Sequence, residues 1–218
     1  MTLPVVMPAN NPQTAGELHI EYPHRIGVLL ANKWRDPGDV PFVLDNGRYA
    51  IRKSGDLSEW DETKFRKLLD DAKASGKTPQ WIVVPDVPRR GKQTLEEWNQ
   101  WVGELGSSYG WPMALAVQEG ITLEDVKALA IPPDVIFVGG PNSWRWRTLK
   151  IWCDNFSNVH VGAIKTPKQL WAVQHAGAES SDSNVWRPIG NHLQELRKYL
   201  EESESGMTRY AVKTGGFF

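Results

Sequence analysis

One cysteine, Cys153, stands among 218 residues, and that scarcity excludes a good deal. It can form no disulfide within the chain and cannot build a cysteine-rich zinc site. No apolar run is long enough to cross a bilayer. Residues 1–8 have no basic residue ahead of the apolar ones, so they do not read as a secretory leader, and a cytoplasmic protein is expected. No Gly-x-Gly-x-x-Gly turn follows any strand-like run, which argues against a dinucleotide-binding open sheet. Charge of one sign is not in excess either: 25 Lys and Arg face 26 Asp and Glu, a net of −1. Any case for an anionic partner must therefore rest on where the charges sit.

Hydrophobic residues make up 40% and charged residues 23%, a balance that suits one globular core. Short runs at residues 26–31, 42–45, 81–86, 113–118, 135–140 and 159–163 are almost continuously apolar, as parallel strands covered on both faces are. Residues 64–75, 95–105, 123–130, 143–155 and 169–176 read as intervening helices, and 190–202 as a last amphipathic one. Ser58, Thr94 and Thr122 each precede acidic residues and read as N-caps. Residues 210–213 read as a short strand or tail. Strands alternating with helices mean a parallel sheet. With a seventh strand at 180–183 and an eighth not placed, the expected fold is an α/β, (β/α)8-type TIM barrel, complete or reduced. An open doubly wound sheet is the alternative. One domain is expected over residues 1–218, its core at 25–205 between short N- and C-terminal extensions. Of the eleven tryptophans, Trp98, Trp101, Trp152 and Trp171 fall in helix-like stretches, which points to packing rather than to stacking on bases.

Reactive side chains of such a barrel come from the C-terminal ends of its strands. Those ends are polar here: Leu44-Asp45-Asn46-Gly47, Pro85-Asp86-Val87-Pro88, Val117-Gln118-Glu119-Gly120, Gly139-Gly140-Pro141-Asn142, Val161-Gly162 and Ser181-Asp182-Ser183. A single Asp after a strand is usually a helix cap or a turn residue. Three on one rim, with no metal-ligand His or Cys beside them, point instead to a carboxylate-driven site, with no metal and no cofactor. The loops on that rim carry Lys33, Arg35, Arg48, Arg89, Arg90, Lys92, Arg145, Arg147, Lys165 and Arg187. A near-neutral protein can thus present a basic face around an acidic pocket, which would attract a phosphate backbone. Solvated loop charges are the plainer alternative.

These rim segments, together with Arg48-Tyr49, Phe137-Val138, Ser143-Trp144-Arg145, His160 and residues 177–181, resemble the guanine transglycosylase superfamily in order and over residues 40–187. That superfamily contains the tRNA-modifying queuine and archaeosine enzymes. The resemblance is closer to their shorter phage and bacterial relatives, which insert 7-deazaguanines such as preQ0 into DNA. It implies that Asp182 is the nucleophile, forming a covalent glycosyl–enzyme intermediate, and that Asp45 is the general acid/base. It implies that Asp86 reads the guanine N1–H and exocyclic amine. Gln118 and backbone N–H groups at Gly139 and Gly140 would donate to O6, and Tyr49 and Val161 would sandwich the ring. A base read in this way has left its stack. Arg48, Arg89, Arg90, Arg145, Arg147 and Arg187 are the expected nucleic-acid contacts.

The chain also departs from the tRNA enzymes. They bind a structural zinc through three cysteines and a histidine, which one cysteine cannot reproduce. They are much longer, and they carry a second glycine where this chain has Arg48. DNA, with a 7-deazaguanine base as second substrate, is therefore expected over tRNA, and no membrane partner is expected. The competing readings are a catalytically silent barrel that binds nucleic acid or a deazapurine, and a carboxylate-dependent nucleoside or glycoside hydrolase.

Overall fold

A computed structural model describes residues 3–51 and 56–210 of the chain. Its strands are β1 (Val5–Pro8), β2 (Val28–Ala31), β3 (Phe42–Asp45), β4 (Ile82–Val83), β5 (Met113–Val117), β6 (Val135–Val138), β7 (Val159–Val161) and β8 (Ser180–Ser183). All pair in parallel, in the order β1-β8-β7-β6-β5-β4-β3-β2. Isolated parallel bridges, Val6 to Ile26 and Ala9 to Leu29, join β1 to β2 and bring the sheet nearly to a closed (β/α)8-type barrel. Among the described residues seven α-helices surround it: α1 (Pro12–Glu21), α2 (Glu62–Ala74), α3 (Gly91–Tyr109), α4 (Leu123–Lys127), α5 (Asn142–Asn155), α6 (Pro167–Ala176) and α7 (His192–Glu204). Residues 32–41, between β2 and β3, carry no helix, so the barrel is irregular there.

The eighth strand is the first one in the chain. Residues 5–8 belong to the barrel and residues 12–21 to its first helix, so the core begins well before residue 25. Of the expected caps, Thr122 forms a reciprocal capping box with Asp125. The other two are corrected. Asp61, not Ser58, caps α2, and Thr94 lies inside the first turn of α3, where its hydroxyl bonds the backbone of Val87. Residues 211–213 of the expected tail lie outside the described residues.

Alternation along the strands sorts the core into two layers. Met7, Leu29, Val43, Trp81, Val83, Ala114, Ala116 and Val135 fill the lumen, with Phe137 packed against them. Val6, Leu30, Leu44, Ile82, Leu115, Val138 and Val161 face the helices and meet Leu68, Trp98, Trp101, Trp152 and Trp171. Each of those four tryptophans is at least nine-tenths buried, so the helix-borne tryptophans are packing residues. Removing one such ring would cost about 3–5 kcal/mol.

Candidate active site

The lumen changes character toward the C-terminal rim. Below lie Trp81, Phe137 and His160, with the imidazole 5.0 Å from the indole and 4.7 Å from the phenyl ring, centroid to centroid. Above them the inward positions are either small (Ala9, Ala31, Gly139, Gly162) or polar (Asp45, Gln118, Asp182). Neither glycine has room for more. A Cβ on Gly162 would sit 2.6 Å from the Phe137 ring, and one on Gly139 would sit 2.8 Å from Gln118 Nε2. This end of the lumen thus sets small residues over an aromatic floor and flanks them with polar groups.

Asp45 ends β3, and its Oδ1 accepts the Gly47 N–H at 2.7 Å. Burial pushes its carboxyl up to about 7; the Gly47 hydrogen bond opposes this, and the charges of Asp182 and Asp86 add to it. Asp86 is buried, and each of its oxygens has a donor: Asn46 Nδ2 on Oδ1 at 3.0 Å and Gln118 Nε2 on Oδ2 at 2.7 Å. Burial raises its carboxyl, against the pull of the Asn46 amide, the Arg48 cation and the Gln118 amide. Gln118 Oε1 accepts the Arg89 N–H at 2.9 Å, so both ends of that amide are fixed. Asp182 is 13% exposed at its side chain, and its Oδ1 accepts from His160 Nε2 at 3.1 Å and Ala163 N at 3.2 Å. Its Oδ2 has no hydrogen-bond partner among the described residues.

The rim also concentrates backbone strain. Four of the five described non-glycine residues with positive φ follow strand ends: Asn10 (54°), Asn32 (65°), Arg89 (66°) and Ala163 (57°). Asparagine tolerates that region, but arginine and alanine do so at an energetic cost. Those last two are the residues whose N–H groups hold Gln118 and Asp182. The strain thus falls where backbone N–H groups fix two polar side chains of the rim.

Asp45, Asp86, Gln118, Gly139 and Asp182 are thus brought together, and Tyr49 is half exposed on the turn Arg48–Ile51 that follows β3. Other expected site residues are corrected. Val161 is fully buried against the helices, on the wrong face of β7 to touch anything in the lumen. The Gly139 N–H is taken by Val117 O, which leaves Gly140 N–H as the backbone donor there without a partner among the described residues. Arg48 is buried; it pairs with Glu97 at 2.6 Å, bonds Asp86 O and lies 4.0 Å from the Trp60 ring. Arg145 is buried too, donating to Gly162 O and Asn142 Oδ1. Neither guanidinium is offered to a phosphate: Arg48 braces Asp86, and Arg145 ties α5 to the end of β7. Arg89, Arg90, Arg147 and Arg187 are exposed. A histidine does stand beside the carboxylates, contrary to expectation. His160 was recognisable as the one polar residue in Val159–Val161, with the same parity as Gly162.

No family model matches the chain, and no curated protein matches it. The geometry defines an irregular (β/α)8 barrel with three carboxylates gathered at its C-terminal rim.

Proposed function

We propose that the protein exchanges guanine in DNA for a 7-deazaguanine base such as preQ0, through a glycosyl ester on Asp182. The observation that carries this reading is the contrast between two carboxyl groups on one rim. Asp45 is desolvated and held near 7, as suits a group that gives and takes a proton at neutral pH. Asp182 has one oxygen held by two donors and the other without one among the described residues. In the first half-reaction Asp182 Oδ2 bonds to C1′ as the C1′–N9 bond breaks. The electron pair leaves with guanine, which takes a proton from Asp45. The second half reverses this with the incoming base, whose proton returns to Asp45. Asp86, which retains lone pairs beyond its two bonds, suits the guanine N1–H and amine; the second Gln118 N–H and the Gly140 N–H suit O6.

The test is release of labelled guanine from single-stranded DNA, duplex DNA, tRNA and guanosine, with and without preQ0, followed by mass spectrometry of the protein. Base-dependent release from DNA and a sugar adduct on Asp182 are expected. Release from guanosine alone, with no dependence on a second base, overturns the reading. Asp86→Ala should reduce discrimination between guanine and adenine by about 1–3 kcal/mol, since it removes the acceptor facing the guanine edge. Competition between the two bases measures it, and unchanged discrimination places base reading elsewhere.

Contact with a strand would fall to the exposed arginines. Replacing Arg89 and Arg90 by alanine should weaken binding to all sequences alike. Each lost phosphate contact should flatten the slope of log affinity against log salt by about 0.7–0.9. The burial of Arg48 and Arg145 favours a second reading, a hydrolase of small nucleosides, because it removes two cations from the rim. An unchanged salt slope in the double variant would put that reading ahead.

A further inference from the structure

His160 belongs to the lumen, is wholly buried, and uses both ring nitrogens. Its Nδ1 lies 2.8 Å from Ser180 Oγ and its Nε2 3.1 Å from Asp182 Oδ1. The placement follows from register: His160 pairs with Ser180 across β7 and β8, and Asp182 is the next inward residue of β8. Trp81 and Phe137 flank the ring and hold its plane. A carboxylate only accepts hydrogen bonds, so the hydrogen between His160 and Asp182 is on Nε2. The Ser180 hydroxyl has no other acceptor among the described residues, so it donates to Nδ1. A single tautomer satisfies all three groups.

We propose that His160 is a positioning residue that pins Oδ1 of Asp182 through Nε2–H and so leaves Oδ2 as the atom that attacks the sugar carbon. The proposal rests on the transglycosylase reading above. After Oδ2 has bonded to C1′, Oδ1 is the carbonyl oxygen of the ester, and His160 Nε2–H and Ala163 N–H still hold it. When the incoming base displaces the ester, the C1′–Oδ2 electron pair returns to the carboxylate, and the same two donors receive the restored charge. The role requires an N–H at the position of Nε2, not a ring as such.

That requirement separates positioning from packing. His160→Gln can place an amide N–H near Nε2, whereas His160→Phe keeps a ring and loses the donor. In single-turnover reactions with single-stranded DNA, His160→Phe should form the Asp182 adduct about 10- to 100-fold more slowly, the effect of one hydrogen bond to a charged group. DNA affinity should be unchanged, and His160→Gln should recover most of the rate. Equal losses in the two variants, or none in either, would overturn the proposal. Nitrogen-15 NMR of the wild-type imidazole tests it without catalysis: Nε2 should be protonated and Nδ1 not, and Ser180→Ala should leave the hydrogen on Nε2, whereas Asp182→Ala should release it. A hydrogen on Nδ1 of the wild type overturns the proposal whatever the rates. If the wild type forms no adduct with any nucleic acid, the transglycosylase reading and the attacking-atom assignment fall together. The tautomer result then decides the pinning of Oδ1 by itself.

Discussion

Asp182→Asn is expected to lower base release by about 10⁴-fold or more, the scale of losing a covalent nucleophile. The substitution is unusually clean here. The Asn carbonyl can still accept from His160 Nε2 and Ala163 N, and the new amide nitrogen replaces the oxygen that has no partner among the described residues. Folding and strand binding should therefore be retained, while an amide nitrogen cannot form the ester. Single-turnover guanine release and thermal unfolding check the two halves. Turnover above about one part in a hundred of wild type would remove Asp182 from the covalent step.

The second large effect belongs to Asp45, and it has two signs. Asp45→Asn removes the proton carrier, and base release should fall by about 10²–10⁴-fold. The wild-type release rate should itself decline as pH rises through about 7, where the acid form is lost. For the variant, stability should move opposite to activity. The folded carboxyl titrates at about 7, above the ordinary value of 3.8, so between those limits the native state keeps a proton that the unfolded chain has released. Wild-type stability therefore falls as pH rises through that window and levels off above it. Asparagine keeps the acceptor for Gly47 N–H but has no charge to desolvate. The variant should be more stable than wild type by roughly 2–4 kcal/mol above pH 7, with the difference vanishing below pH 4. Urea unfolding at pH 4 and pH 8 measures it, and a gap that does not change with pH contradicts the assignment.

The barrel was readable from the sequence because its strand runs are short, apolar and separated by helical stretches. β1 escaped because Pro4 and Pro8 bracket only three other residues, and proline argues against a strand. The strand at Trp81 shrinks to Ile82–Val83 because Pro85 ends its ladder. The rim aspartates were legible for the reason that strand ends are, since position along the strand needs no knowledge of packing. Which face a residue occupies follows from parity, and parity applied to residues 159–162 would have selected His160 and Gly162 over Val161. The arginines were another matter. Arg48 is buried by Glu97, 49 residues further along, and Arg145 by the carbonyl of Gly162. Nothing local to either arginine reports a partner that only the closed barrel brings near.

The order of the strands also bears on how the chain folds. Its last ladder joins Val5–Pro8 to Ser180–Ser183, residues 175 apart, and places Met7 opposite Asp182. Its other edge is joined to the β2 side by the isolated bridges Val6 to Ile26 and Ala9 to Leu29. Contacts of such long separation form late, because loop-closure entropy opposes them until the rest of the sheet exists. A chain arrested before that closure would hold most of its helices and the continuous β2–β8 ladder, with Asp45, Gln118 and Asp182 on it. It would lack β1, whose Met7 and the following Ala9 close the lumen wall beside Asp182.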